Sequence, residues 1–443
     1  MIIGVQRMQT MRHSSFPVAK VVLTVVQHRK SSDVGPRGGE IRALTGLRAV
    51  AAGWVVFVHF GAFLTPYYDQ LPFLRPILGA GWIGVELFFL LSGFLLTRGY
   101  LDEVGGRPTP RRVGHFLFKR FARVWPAWAA VTLGMAAWLV VVRARGLTPD
   151  VVTEHPAVTF ETIFRQLTMT QMWGKPNMLG VSYVAPGWSI SAEWTAYLAF
   201  PVLAVALRPL RGLHPVVNLV LAFAAIAPLA LIAYTTGPLD SESNWLLRIA
   251  CGFVAGMFVA LALRGVRPSE RTESIGLALS ATSIFLIVML CYWANWRRGD
   301  ELADYSQVAV LVFPGLIAGL AMSDRGPSRL LSTPALVYGG RISYCVYLTH
   351  YVILDVVFAV LWQNPEARSV MTPEVALLMP FLLVGTLVVS ALLYHLVEEP
   401  ARLVLVRMLG RPARTRPRAD VVPLVAAPSP EVVPAGAFSA RAS

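Results

Sequence analysis

The chain has 443 residues, of which 55% are hydrophobic and only 14% are charged. An average soluble domain is about 25% charged, so this composition, with its repeated long apolar runs, excludes an ordinary soluble domain and indicates a polytopic membrane protein. The net charge of +14 is carried almost entirely by arginine, since only four of the basic residues are lysines. This charge lies between the apolar runs, so it indicates membrane topology rather than binding of nucleic acid.

The apolar runs predict about ten membrane-spanning helices, because a helix needs about 20 residues to cross about 30 Å of hydrocarbon. We therefore expect an all-α polytopic membrane protein with one transmembrane domain over residues 41–410. A flexible basic N-terminal arm is expected over 1–40 and a disordered cytoplasmic tail over 411–443. The predicted spans are 47–65, 80–100, 124–143, 190–207, 216–235, 247–264, 274–293, 307–322, 342–362 and 376–397.

The distribution of arginine predicts the orientation of the chain. Arginines are concentrated in the N-terminal arm, in the connection between the second and third spans, and in the C-terminal tail. The positive-inside rule then places both termini in the cytoplasm, as an even number of spans requires. The arginine-rich, lysine-poor usage favours a bacterial source, so we expect a multi-pass protein of the inner (plasma) membrane.

The first span carries Arg48 and His59, which are eleven residues apart. On a helix this spacing places them on one face, about 16 Å apart along the axis. Polar groups at membrane depth are costly and usually face a cavity, so this face is expected to line one. A neutral imidazole can serve as general base. The alternatives are an interfacial anchor for Arg48 and a packing role for His59.

The segment before the third span contains Lys119, Arg120 and Arg123 interleaved with aromatic residues. One interpretation is an interfacial helix that binds lipid headgroups. The other is a cytoplasmic site for the phosphates of coenzyme A, since arginine forks bind phosphate oxygens in pairs. No Walker loop occurs in the sequence, and no GxGxxG run follows a predicted strand, so neither ATP nor NAD is indicated.

Polar residues recur inside three other spans. Glu193 could orient a protonated histidine or bind sugar hydroxyls, or could simply favour a helix N-terminus. Glu86 is either functional or hydrated at the interface beside closely packed glycines. The further candidate substrate-binding residues, each with packing as the alternative, are Ser92, Trp188, Tyr347 and His350.

Several other segments carry weaker signals. The three cysteines have neither pairing nor ligand spacing, so we expect small packing residues and no metal site. Glu399 and Arg402 are three residues apart and are expected to pair near the end of the last helix, where Glu398, Glu399 and Arg402 indicate a structural cap. The connection over 144–187 is expected outside, with a short amphipathic helix within Phe160–Trp173.

In combination, these segments resemble the acyltransferase-3 family of integral membrane acyltransferases. The arginine and histidine of the first span, separated by ten residues, match the start of that family's first membrane helix, and the other matching segments follow in family order. Glu86 stands where the family more often has Asp, and Trp194 stands where some members have a second acid. The matching segments are GWIGVELFFLLSGFLLT (Gly81–Thr97), FKRFARVWPAW (Phe118–Trp128), WSISAEWTAYLAFP (Trp188–Pro201), ISYCVYLTH (Ile342–His350) and VEEPAR (Val397–Arg402).

The resemblance implies transfer of an acyl group, usually acetyl from acyl-coenzyme A, to hydroxyls of sugars, polysaccharides or small natural products. It implies that His59 is essential, with Arg48 in support and Glu193 assisting. Acyl-CoA would dock on Lys119, Arg120 and Arg123 as the donor substrate, with no tightly bound cofactor. Many relatives carry an extra extracytoplasmic hydrolase-like domain. We expect the membrane domain here, or a partner, to complete the transfer.

Other functions use the same residue types. A multi-pass transporter or flippase would also bury Arg, His and Glu along a substrate pathway. A membrane sensor or scaffold would retain its function without His59. The resemblance favours the acyltransferase, in which His59 activates the hydroxyl for direct attack or an acyl-enzyme forms first. The expected partners are acyl-CoA, a carbohydrate or natural-product acceptor, and the lipid bilayer; no pattern predicts an oligomeric state.

Overall fold

The computed structural model describes residues 39–147, 154–237, 244–298, 305–361 and 377–409. Within these ranges the regular structure is entirely helical. The prediction of an all-α architecture is therefore confirmed. The predicted N-terminal arm, apart from its last two residues, and the predicted tail over 411–443 lie outside the described residues.

Fifteen α-helices occur in the described part of the chain, with short 3₁₀ turns between some of them. We number them in chain order. They are α1 (Arg42–His59), α2 (Gly61–Gln70), α3 (Arg75–Gly79), α4 (Gly84–Val104), α5 (Pro110–Ala144), α6 (Phe160–Leu167), α7 (Gly187–Leu207), α8 (Pro215–Thr236), α9 (Trp245–Leu263), α10 (Glu270–Arg298), α11 (Phe313–Met322), α12 (Pro327–Leu331), α13 (Pro334–Leu361), α14 (Met379–Leu393) and α15 (Glu399–Met408).

Eight helical segments among the described residues are long and apolar enough to span a bilayer. The chain is thus a multi-pass membrane protein. The two remaining predicted spans also form helices: the first is α1, and the short run near 307–322 is a 3₁₀ turn continued by α11. The eight segments are Pro72–Val104, Pro110–Ala144, Gly187–Gly212, Pro215–Thr236, Trp245–Leu263, Glu270–Arg298, Pro334–Val360 and Met379–Met408.

The first helix ends earlier than its apolar run predicts. Phe60, with φ −86° and ψ 13°, leaves the helical conformation, and the chain restarts as α2 at Gly61. His59 is therefore the last residue of α1 rather than an interior one. The sequence placed the end at residue 65 because apolar residues continue through the break, and hydropathy does not record a change of backbone direction.

The basic segment is continuous with the third span. α5 begins at Pro110, with Thr109 as its N-cap, and runs for 35 residues without a break. Proline is favoured at the first position of a helix, where its missing N–H costs nothing. Arg120 and Arg123 are thus held on a rigid helix that continues into the bilayer.

The predicted short helix in the following connection is confirmed as α6, which begins with a capping box formed by Thr159 and Thr162.

Glycines bring α4 and α9 into backbone contact. A Cβ atom at Gly256 would overlap the carbonyl of Leu90, and one at Gly93 would overlap the carbonyl of Phe253. Small residues of this kind let membrane helices approach closely. On the other side of the bundle, Gly340 of α13 meets the backbone of Thr45 in α1 in the same way. These approaches fix the spacing of helices that carry the polar residues described below.

We predict that Gly256→Ala destabilises the protein by about 1–3 kcal/mol, because the added methyl group has no room against Leu90. Unfolding of the purified protein in detergent, followed by circular dichroism, measures the change. Gly134→Ala is the matched control: a Cβ there meets nothing within 4 Å, so its stability should stay at or above wild type. Equal stability of the two variants would contradict the close approach.

Candidate active site

A cavity of about 120 Å³ opens where α1, α4, α5, α7 and α13 meet. It contains three arginines and one carboxylate, so its walls carry net positive charge. Six of the residues singled out in the sequence line it: Arg48, Ser92, Arg120, Arg123, Glu193 and Tyr347. The other polar lining residues, which the sequence did not single out for this site, are Ser189, Tyr197, Ser343 and Tyr344.

Glu193 is the acidic centre of this cavity. It lies two turns into α7, and Ser92 of α4 donates a hydrogen bond to its Oε1 at 2.6 Å. The Tyr197 hydroxyl donates to the same oxygen. A carboxylate oxygen that accepts two hydrogen bonds is held in one orientation. The i,i+4 spacing of Glu193 and Tyr197 is the sequence signal that could have predicted this hydrogen bond.

Arg123 reaches a partner from the end of the chain. It forms an ion pair with Glu398, whose side chain is completely buried, and Cys345 donates to the other oxygen of that carboxylate at 3.0 Å. Glu398 is the last residue of a π-helical turn over Tyr394–Glu398, and the next residue, Glu399, begins α15. π-bulges are rare and often occur at functional sites. The expectation that Glu398 belongs to a terminal cap is therefore wrong.

The predicted pair of Glu399 and Arg402 is confirmed. Nε and Nη2 of Arg402 each donate to one oxygen of the Glu399 carboxylate at 2.9 Å, in a bidentate arrangement. These two adjacent glutamates thus point in different directions, one to the surface of α15 and one into the bundle.

Lys119 and Arg120 lie beside Tyr100 rather than side by side on the cavity wall. The Arg120 guanidinium is 5.3 Å from the centre of the Tyr100 ring, and the Lys119 ammonium is 5.8 Å from it. Arg120 lines the cavity, whereas Lys119 does not. Of the three basic residues predicted to bind coenzyme A, two face the cavity and one stands behind them.

His59 lies beyond the cavity, among aromatic rings. Its ring is 4.8 Å from Trp82, 5.0 Å from His350 and 5.2 Å from Tyr351, measured between ring centres. Tyr347 lines the cavity and packs 5.9 Å from His350. A row of rings, Tyr347, His350 and His59, therefore connects the cavity to His59, and the side chain of His59 is half-buried.

The hydrogen bonds of the two histidines define their tautomers. The Nδ1 atom of His59 lies 2.8 Å from the carbonyl of Val55, and that of His350 lies 3.1 Å from the carbonyl of Val346. Because a carbonyl only accepts, each Nδ1 of a neutral ring must carry the hydrogen. His350 Nε2, which then has a lone pair, lies 3.4 Å from His59 Nδ1. The same assignment leaves Nε2 of His59 with a free lone pair, as a general base requires.

Glu86 and Trp188 belong to a separate buried cluster. Glu86 is completely buried and forms an ion pair with Arg248 of α9, so the expectation of a hydrated carboxylate at the interface is wrong. The Arg248 guanidinium lies 4.5 Å from the centre of the Trp188 ring. Neither Glu86 nor Trp188 lines the cavity. A single arginine inside the apolar run of α9 is the sequence signal that could have identified this cluster.

Comparison with known proteins matches residues 41–395 to a family described as "Acyltransferase domain". The chain belongs to the acyltransferase-3 family. The acyltransferase MdmB of Streptomyces mycarofaciens is 27% identical over 405 residues, which cover 86% of this chain and 96% of the relative. Nodulation protein 10 of Rhizobium leguminosarum bv. viciae is 24% identical over 72% of this chain and 81% of its own length.

A third relative, named "Putative peptidoglycan O-acetyltransferase YrhL", comes from Bacillus subtilis (strain 168) and is 24% identical over 73% of this chain. The match covers 50% of that relative's length. No solved structure matches the chain. The family and these relatives establish a membrane acyltransferase.

We predict that Glu398→Gln lowers the free energy of unfolding by about 3–5 kcal/mol, because it leaves the charge of Arg123 without compensation inside the bundle. Urea unfolding in detergent measures the change. Glu399→Gln, one residue on, removes a partly exposed pair and should cost less than about 1 kcal/mol. If the two variants lose the same stability, Glu398 does not hold Arg123 as described.

Proposed function

We propose that this acyltransferase moves an acyl group, acetyl in the first instance, from acyl-CoA to a hydroxyl group of a sugar, a polysaccharide or a secreted small molecule. The observation that carries the proposal is the continuous path from the cationic cavity, along Tyr347 and His350, to His59. The donor would arrive from the cytoplasm of a bacterial cell whose plasma membrane holds the protein. The orientation rests on the arginine distribution.

The charges of the cavity support an anionic donor. Arg48 and Arg120 face it beside Arg123, whose charge Glu398 partly neutralises. The phosphates of coenzyme A would bind Arg120 and Arg123, the arginines of α5 that line the cavity, since guanidinium groups pair with phosphate oxygens in a bidentate way. Lys119 would add positive charge behind Arg120. The thioester would then extend along the cavity toward His59.

The chemistry is a direct transfer. Nε2 of His59 accepts the proton of the acceptor hydroxyl while its oxygen attacks the thioester carbonyl carbon. The carbon–sulfur bond breaks, the new ester leaves with the acceptor, and the coenzyme A thiolate takes the proton back from His59. The imidazolium formed in between is stabilised because its Nδ1–H is shared by the Val55 carbonyl and His350 Nε2. His350 is thus a positioning residue for His59.

Glu193 has a supporting role in this proposal. Its carboxylate stands in the same cavity as Arg48 and is fixed by Ser92 and Tyr197. A fixed negative charge there keeps the arginine side chains in place. The names of two relatives, an acyltransferase and an O-acetyltransferase, agree with ester formation at a hydroxyl group.

We predict that His59→Ala lowers the rate of acetyl transfer by about 10²- to 10⁴-fold, the usual effect of removing a general base. Release of free thiol from acetyl-CoA by the purified protein, with a panel of hydroxyl acceptors, measures the rate. His214→Asn, at an exposed helix cap that can still accept its hydrogen bond, is the control and should retain full activity. A transporter would consume no acetyl-CoA, and equal rates in both variants would remove His59 from the chemistry.

We predict that Arg120→Gln raises the KM for acetyl-CoA by about tenfold or more, because a hydrogen bond to a charged group is worth about 1.5–3 kcal/mol. The kcat should change much less. Arg112→Gln, exposed near the start of α5, is the matched control. Repeating both measurements with 3′-dephospho-acetyl-CoA shows whether Arg120 binds the ribose phosphate, in which case the difference disappears. An unchanged KM for both donors would exclude Arg120 from donor binding.

A further inference from the structure

A second cavity, of about 530 Å³, opens at the other end of α1. Val58, the neighbour of His59, lines it, and so does Trp82, whose ring contacts His59. Arg48 and Val58 are ten residues apart on α1, so the two cavities are separated by about 15 Å along that helix. His59 therefore stands between a cavity on the predicted cytoplasmic side and one on the predicted outer side.

The second cavity has the side chains that bind sugars. Trp82 is 43% exposed, so an apolar ring face is available beside His59. The C–H face of a sugar ring packs against such an aromatic surface, while its hydroxyls need donors and acceptors around the edge. Three separate helices, α2, α3 and α10, supply these polar groups: Tyr68, Asp69, Arg75, Asn295 and Arg298.

The walls of the cavity are held by contacts outside it. Trp54 of α1 donates to the carbonyl of Ile77 in α3 at 2.5 Å, and Tyr292 of α10 donates to the carbonyl of Phe73 at 2.8 Å. Arg297 lies 4.8 Å from the Tyr305 ring. The same guanidinium also lies 5.6 Å from the centre of the Tyr234 ring and 5.9 Å from that of Trp293. Because Tyr234 belongs to α8, this contact packs the end of α10 against α8. A site preorganised in this way binds without having to order its own walls.

We propose that this second cavity is the acceptor site and that the acceptor is a glycoside. The sugar ring lies on Trp82, Asp69 and Asn295 hydrogen-bond its hydroxyls, and Arg75 and Arg298 donate to its oxygens. One remaining hydroxyl then faces His59 Nε2 from the side opposite the donor. This inference rests on the proposed function, because it assigns the second substrate of the same reaction. It also explains why His59 ends α1: the helix must stop for Trp82 and the cavity to reach it.

The test uses the full-length protein, purified in detergent, with acetyl-CoA and a set of p-nitrophenyl glycosides as probes. Asp69→Asn replaces a charged acceptor by a neutral amide, and Asn295→Ala removes an amide; both positions are exposed, so both variants should fold. We expect the KM for the best glycoside to rise about tenfold in Asp69→Asn and severalfold in Asn295→Ala. The KM for acetyl-CoA should change less than twofold, since the donor binds elsewhere.

Glu154→Gln, an exposed carboxyl that does not line the cavity, is the control and should leave both KM values unchanged. Saturation-transfer difference NMR reads binding of the same glycosides without turnover, and its signal should weaken in the two cavity variants. Unchanged glycoside KM and binding in both variants would overturn the acceptor site. Transfer to simple alcohols but to no glycoside would overturn the sugar class. A wild-type protein that binds glycosides but never consumes acetyl-CoA would instead overturn the proposed function.

Discussion

A charged side chain inside an apolar helix bundle must be paired, because an uncompensated buried charge costs several kcal/mol. In this protein the pairing joins distant parts of the chain. Glu86 of α4 meets Arg248 of α9, and Glu398, near the C-terminal end of the described residues, meets Arg123 of α5. Backbone contacts at Gly93 and Gly256 hold α4 and α9 at the distance that the first pair needs. α4 and α5 are two of the five helices that line the first cavity, so these pairs help to determine which side chains face it.

The buried polar groups fall into two kinds with different consequences. Glu86 and Arg248 face each other away from the cavity, and with Trp188 they form a closed cluster that stabilises the helix arrangement. Arg48, Arg120 and Glu193 face free space instead. Their placement on the wall of a cavity is what a substrate-binding role requires. The two cavities at opposite ends of α1 suit the proposed transfer, because a transferase needs separate access for its two substrates and one residue that both substrates can reach.

Much of this arrangement could be predicted from single residues. The apolar runs indicated the helices, and the eleven-residue spacing placed Arg48 and His59 on one membrane helix. The sequence also identified Glu193, Arg120 and Tyr347, which the fold brings to one cavity. Their partners were missed, because Ser92 and Glu193 are 101 residues apart and His59 and His350 are 291 apart. No local pattern indicates which of many distant side chains will meet.

The sequence by itself determined the class of the protein, since about 20 consecutive apolar residues have only one stable arrangement in a bilayer, and it determined the family, since the motifs run in family order. Only the tertiary structure decided what each polar residue faces. The neighbours Glu398 and Glu399 show the reason most clearly: one turn of π-helix directs the first to Arg123, while the second pairs with Arg402 on the surface of α15. Side-chain direction depends on a local change of helical phase and on packing across the bundle, and neither is encoded in residue type or spacing alone.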